Sequence, residues 1–427
     1  MVLNISIELG GVEYPVGVIS GEGVEDARFA YCKEYLSRSE SIPVSASMPP
    51  QEEPFTPEKT RCYFEGLLPE GFTRKTVASW IHADDRDYLQ ILSALGKECL
   101  GALKVTDSAS QEEVPFGYEK LTLDQVRALA QEGASKSAEL VTRAHLSLTG
   151  ASGKAGLYYD QKEQQWYLPI GSAPSTHIIK QSHVRLNAIV TNEQLSILTA
   201  KKLGIEVPDT FIINTGNFDD ADVLFATARY DRIPGSRPAT ESGHPVPLRL
   251  HQEDFGQALG VPAAAKYEPA GQHYMRDMFA LLRRNSADPI RDQLKLWDLI
   301  VYNFLLGNTD AHLKNYSLLH GENPKSVRLA PAYDLISTTA YRSSTRDMSF
   351  RIGGKLSVDE IDRGVFLDAA EEVGLGRRIA MQHFDSITDQ FETALQQTAA
   401  ELAEQGYSRA AAIAQEILTT GGICQLS

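Results

Sequence analysis

An acid and an amide, Asp310 and Asn315, stand close together in the run Gly307-Asn308-Thr309-Asp310-Ala311-His312-Leu313-Lys314-Asn315, and a second acid follows in Ala332-Tyr333-Asp334-Leu335. Enzymes that transfer phosphoryl groups place one carboxylate at the attacking hydroxyl and use an amide and another carboxylate to hold Mg²⁺. This segment offers all three groups, in that order along the chain. Taken alone, the D-x-x-x-x-N spacing also suits a turn, because Asn and Asp often cap or reverse a chain.

Two elements must position these groups. Leu294, Trp297, Val301, Phe304 and Leu305 recur at helical spacing, which predicts a buried helix over 292–306 ended by Gly307. Residues 308–315 then leave a rigid element as a loop, where reactive side chains are well held. Tyr316 to Leu319 and Ser326 to Leu329 flank a polar turn and predict a hairpin that brings Asp334 back beside the loop.

Phosphates need cations and close backbone amides. Ser175-Thr176-His177-Ile178-Ile179-Lys180 reads as a strand, with Thr176, Ile178 and Lys180 on one face. Lys180 either neutralises nucleotide phosphates or is a solvated strand-end lysine. Glu193 opens a helix predicted over 191–203 and capped by Gly204; it either pairs with Lys180, as in kinases, or answers the helix dipole. In Gly150-Ala151-Ser152-Gly153-Lys154 two glycines permit close phosphate approach, although the same run between two strands makes an ordinary hairpin turn. It is not a P-loop, because G-x-x-x-x-G-K-[ST] is absent.

The rest of the chain sets bounds. At 427 residues two or three units are expected. Strands pair across Gly10-Gly11, prolines crowd 40–57, and a helix over 89–95 ends at Gly96. A polar stretch at 106–118 marks a boundary, a short helix covers 122–132, and a β-rich region runs from 145 to 230 before a mainly helical remainder. No stretch is apolar enough for a transmembrane helix, and the first residues alternate like a strand rather than a secretory signal. Four scattered cysteines fit a reducing cytoplasm, and a net charge of −15 opposes direct binding to DNA or anionic membrane.

In order along the chain, Phe64-Glu65-Gly66-Leu67-Leu68-Pro69-Glu70-Gly71, Ser147-Leu148-Thr149-Gly150, Pro174 to Lys180, Arg229-Tyr230-Asp231-Arg232, Lys266-Tyr267-Glu268, Asn308 to Asn315 and Pro331-Ala332-Tyr333-Asp334 resemble the HipA-type serine/threonine kinase toxins of bacterial toxin–antitoxin pairs. The resemblance spans nearly the whole chain. It implies a two-lobed α+β fold, kinase-like and related to phosphoinositide kinases, with a β-rich N-terminal part and a mainly helical C-terminal lobe. The expected units are 1–110, an N-terminal subdomain; 111–250, the N-lobe-like region; and 251–427, the helical lobe.

The resemblance also implies roles. Asp310 matches the catalytic acid, and Asn315 and Asp334 match the Mg²⁺ ligands. Lys180, the loop Thr149, Gly150, Ala151, Ser152, Gly153 and Lys154, the adenine-side residues Ala228, Arg229 and Tyr230, and His312, Lys314 and Tyr333 match the ATP-binding set. Ser147 matches the autophosphorylated serine, with Thr149 as a second hydroxyl. Two departures stand out: Ser152-Gly153 replaces a Gln-acid pair, and Ala228 offers no side-chain contact. The expected protein is a cytoplasmic kinase restrained by a small helix-turn-helix, HipB-like antitoxin, which makes the DNA contacts. Its target class is a translation component such as glutamyl-tRNA synthetase. Two other readings stay open: a non-catalytic co-repressor and an aminoglycoside-type phosphotransferase. The latter usually has His before the Asp, not after it.

Overall fold

The computed structural model describes residues 1–109, 116–132, 136, 139, 154–182, 186–235 and 243–426. The chain begins with an antiparallel hairpin, β1 (Val2–Leu9) and β2 (Val12–Ser20). Both residues of its turn, Gly10 and Gly11, have positive φ, as a tight hairpin turn demands. β3 (Arg28–Tyr31) pairs with β2, and β4 (Leu103–Asp107) returns after three longer helices to pair with β1, giving the order β3-β2-β1-β4. That returning strand is not evident in the sequence, because its partner lies about a hundred positions away. Leu3, Ile5 and Ile7 alternate onto the buried face and meet Phe64 and Leu92 from the helices Pro57–Glu65 and Tyr88–Leu95. The proline-rich stretch at 40–57 forms neither helix nor strand until Pro57 opens the helix Pro57–Glu65. Tyrosine hydroxyls hold it instead: Tyr31 donates to Met48 O (2.7 Å), and Tyr35 donates to Ile42 O (2.9 Å).

The second sheet has six antiparallel strands in the order β5-β7-β6-β8-β10-β9. These are β5 (Gly117–Lys120), β6 (Lys154–Asp160), β7 (Gln165–Ile170), β8 (His177–Gln181), β9 (Thr210–Asn214) and β10 (Val223–Ala228). The helix Leu123–Glu132 packs Val126 and Leu129 with Ile179, Leu224 and Ala226 on one face. The helix Ile189–Lys202 runs past the other face, onto which Lys180 and Phe225 project, directly opposite each other in the ladder. β10 stops at Ala228, so Arg229 and Tyr230 fall in the turn that follows rather than in the strand.

The remainder is mainly helical. The helix Pro289–Leu306 starts with Asp288 as N-cap and Pro at its first position, and ends at Gly307 with φ +70. Trp297, Ile300, Val301 and Phe304 are fully buried along it; each such side chain stabilises by about 1.5–3 kcal/mol on burial. The 28-residue helix Arg377–Glu404 packs Phe384, Phe391 and Leu395 into the same core. The expected hairpin forms between Ser317–His320 and Val327–Leu329, extended by Gln252–Asp254. Among the described residues no helix is long and apolar enough to cross a membrane.

Candidate active site

The six-stranded sheet and the helical part face each other across a cleft of about 410 Å³. Lys180 enters it from β8. Its Nζ lies 2.5 Å from Glu193 Oε1 on the helix Ile189–Lys202 and also contacts Asp334 Oδ1. Burial works against the Lys180 ammonium, but the carboxylates of Asp334 and Glu193 outweigh it and its pKa rises. Asp334 answers in the opposite sense: burial opposes its ionisation, yet Lys180 and then Lys154 hold it well below the usual carboxylate range. Glu193 is raised, because burial exceeds the pull of Lys180. Lys154 stands directly opposite Lys180 on β6. Burial lowers its pKa, and among the described residues it has no carboxylate within ion-pair distance. Like charges facing each other on neighbouring strands are unfavourable unless an anion joins them.

The loop after Gly307 forms the opposite wall. Asn308 is buried and ties it together: its Nδ2 donates to Asn303 Oδ1 (2.8 Å) and to Asp334 O (3.3 Å), and its Oδ1 accepts from the Asp310 amide (3.2 Å). Asn315 Nδ2 donates to the Asp310 carbonyl (2.9 Å), so the acid and the amide brace one another. The Asp310 carboxyl accepts from the Tyr267 hydroxyl. Partial loss of hydration raises its pKa, against the lowering effects of that hydrogen bond and of Lys266. Asp334 has φ +54, a left-handed conformation in which Asp is one of the tolerated residues and which costs roughly 1–3 kcal/mol.

Every described member of the sequence-derived site lines this cleft, but some side chains are already committed. All five N–H groups of Arg229 are used, by Asp231, Glu98, Ser175 Oγ and Cys99 O, and its guanidinium is fully buried. Its side chain therefore fixes the turn and has no donor left for a ligand. The amides of Ala228 and Arg229 are also taken, by Asp209 O and Thr176 O. Lys314 is held by Asp254 (2.6 Å) and Gly66 O (3.0 Å). Tyr230 stacks on Tyr333 at 5.7 Å, and the Tyr333 hydroxyl bonds Ser317 Oγ (2.6 Å) and Lys314 O (3.0 Å). His312 is buried with Nδ1 unpartnered, and burial pushes its pKa down to about 3. Ser147, Thr149, Gly150, Ala151, Ser152 and Gly153 lie outside the described residues.

Residues 11–106 match the HipA N-terminal domain, and residues 146–398 match the HipA-like C-terminal domain. The chain belongs to the HipA family of kinase toxins. Among its relatives, Y4mE of Sinorhizobium fredii, named as a kinase, is 32% identical over 88% of this chain and 87% of its own length. The serine/threonine-protein kinase toxin HipA of Shewanella oneidensis is 24% identical over 92% and 88%. The structure of Shewanella oneidensis HipA with HipB and its operator DNA superimposes with a TM-score of 0.79, at 20% identity, over 99% of this chain and 97% of that one. This likeness shows the two-lobed α+β fold.

Some residues in and behind the cleft of this HipA-family protein have no role assigned from the sequence. Glu70, from the N-terminal part, reaches into the cleft and pairs with Lys266 at 2.8 Å. Tyr267 touches Asp310. Asn192, beside Glu193, clamps the backbone of Ser337: its Nδ2 donates to Ser337 O (2.9 Å) and its Oδ1 accepts from Ser337 N (3.0 Å). Glu70 and Tyr267 stand in stretches that carry the family resemblance, but no spacing rule joins them to Asp310.

Proposed function

We propose that this HipA-family chain is an ATP- and Mg²⁺-dependent serine/threonine protein kinase acting as a toxin, which moves the γ-phosphoryl group of ATP onto a protein hydroxyl. The observation that carries this reading is the meeting of Lys180–Glu193, Asp310, Asn315 and Asp334 in one cleft from four separate segments. The residues fit the groups they would hold. Lys154 and Lys180 form a cationic pair suited to phosphates. Asp334, kept ionised, and the oxygen of the Asn315 amide are oxygen donors of the kind Mg²⁺ prefers. When bound there, Mg²⁺ neutralises phosphate charge and aligns the leaving group.

In this reading the turn 228–230 and the face of Tyr333 receive the nucleotide base. Asp310 orients the acceptor hydroxyl and takes its proton as the oxygen–phosphorus bond forms and the bond to the ADP oxygen breaks. Arg229 works from behind, holding the turn, and Lys314 holds the loop through Asp254. Autophosphorylation at Ser147 or Thr149 shuts the enzyme off. The acceptor class is a translation component such as an aminoacyl-tRNA synthetase, glutamyl-tRNA synthetase by family precedent. A HipB-like antitoxin restrains this cytoplasmic toxin and makes the contacts to DNA, as the partner named for the Shewanella oneidensis structure suggests.

Incubation of the purified protein with Mg-ATP followed by intact-mass spectrometry tests this directly. Wild type gains phosphate at Ser147 or Thr149; Asp310→Asn binds Mg-ATP but gains none and no longer arrests growth. A wild type that binds Mg-ATP without gaining phosphate favours the co-repressor reading. Phosphoproteomics after induced expression then identifies the acceptor.

A further inference from the structure

Tyr267 is half-exposed at the cleft mouth, yet its hydroxyl is not free: it donates to Asp310 Oδ1. The segment around it is pinned on both sides. Lys266 Nζ pairs with Glu70 (2.8 Å), and Lys266 O accepts from the Leu313 amide (3.3 Å) of the Asp310 loop. On the other side Glu268 receives Arg351 Nη1 (2.7 Å) and the Tyr274 amide (3.0 Å), and its own amide donates to Ser349 O (2.8 Å). The Tyr267 ring meets His312 edge to face at 5.2 Å. The phenol is therefore aimed at Asp310 by its surroundings. It is also a neutral donor at physiological pH, since loss of hydration and the neighbouring Asp310 both raise its pKa.

A carboxylate that orients an acceptor hydroxyl accepts one hydrogen bond from it. A resident hydroxyl, that of Tyr267, already bonds one of the two carboxylate oxygens, Oδ1. We propose that Tyr267 gates the acceptor position: its hydroxyl fills the place on Asp310 that the acceptor hydroxyl must take, so that a peptide acceptor displaces it and water does not. A serine or threonine within a polypeptide brings flanking contacts at the cleft mouth that offset the loss of the Tyr267–Asp310 bond. Water has one oxygen and no flanking contacts. The gate thus favours phosphoryl transfer to protein over hydrolysis, in which a water oxygen bonds to the γ-phosphorus, the bond to the ADP oxygen breaks, and the water proton passes to Asp310.

This inference rests on the kinase reading above, and one experiment separates the two. Full-length wild type and Tyr267→Phe are compared for Mg-ATP binding by calorimetry, for melting temperature, and for inorganic phosphate released from Mg-ATP with no protein acceptor added. The variant keeps the ring and the fold but lacks the hydroxyl. Phosphate release should rise about tenfold, the factor that about 1.4 kcal/mol of displaced hydrogen bond gives, with Mg-ATP affinity and melting temperature unchanged. Release that stays level or falls in Tyr267→Phe at unchanged Mg-ATP affinity overturns the gate and leaves the kinase reading standing. A wild type that does not bind Mg-ATP overturns both.

Discussion

Lys180 is the residue on which the cleft's charges balance. It lies between two carboxylates, Glu193 and Asp334, each largely withdrawn from water. Removing it would leave two acids facing each other, so Asp334 would be harder to ionise. Breaking a buried pair by deleting one partner costs about 3–5 kcal/mol. Lys180→Met should therefore lower the melting temperature and abolish detectable Mg-ATP binding in the same calorimetric assay. A variant of wild-type stability and affinity would refute this role for the lysine. The pairing with Glu193 was one of two readings open in the sequence, and the helix dipole the other. The 2.5 Å contact decides for the pair. Ala228 tells a similar story. With its amide already given to Asp209 O, the turn can offer a base only the backbone groups that remain.

At the scale of elements, the strand and the helix that hold Lys180 and Glu193 must stay in register with the loop that holds Asp334. Asn192 performs that coupling. Its amide reads both polar backbone groups of Ser337, three residues past Asp334, and it is fully buried. Asn192→Asp would set an acceptor against the Ser337 carbonyl and leave it unsatisfied. We expect a loss of at least about 2 kcal/mol in stability, with weaker Mg-ATP binding, measured by chemical denaturation and calorimetry. Equal stability and affinity in the variant would count against a clamp. Gly307 serves the same end from the other side. Its φ of +70 turns the chain out of the helix Pro289–Leu306, and an added Cβ would overlap the Thr339 hydroxyl. That helix end was legible because a heptad-like apolar stripe and a following glycine are local signals. The Asn192 clamp was not, because its partner is 145 positions away.

Across the whole molecule, the N-terminal part is welded to the kinase-like part by buried charges. Glu98 is fully buried and accepts from Arg229 (3.0 Å), Arg232 (3.0 Å) and the Ser175 amide (3.1 Å), with Arg249 at its other oxygen. A second junction carries a pH signature. Glu253 accepts from Ser45 Oγ (2.5 Å) and the Ala46 amide (2.9 Å), and burial pushes its pKa up to about 8. The folded state thus keeps a proton that the unfolded state has lost, and stability declines as pH rises through the window ending near 8. Buried histidines act in the opposite sense. Burial lowers His177 to about 4, and His251 and His312 to about 3. Unfolding would protonate them below their ordinary value of about 6.5, so stability declines as pH falls below it. Thermal melting should therefore peak near pH ~6.5, and Glu253→Gln should flatten the alkaline side and steepen the acid side, because the Glu253 window opens at its ordinary value of 4.5. An unchanged alkaline slope would exclude Glu253 as its source.

Local order was legible in the sequence wherever a short-range pattern carried it. The Gly10-Gly11 hairpin, the helix into Gly307, the 316–329 hairpin and the alternation that turns Lys180 away from Ile179 all depend on neighbours within about a dozen positions. The choice of Asp310, Asn315 and Asp334 followed from their order along one stretch of chain. Tertiary structure decided which of these groups are free to meet a ligand. It committed Arg229 to Glu98 and Asp231, gave Lys314 to Asp254, set Asn192 on the Ser337 backbone, and brought Glu70 and Tyr267 to a cleft that no spacing connects them with. The reason is physical. A buried polar group must find a partner wherever folding places one, and the partners here come from parts of the chain whose separation leaves no periodic trace.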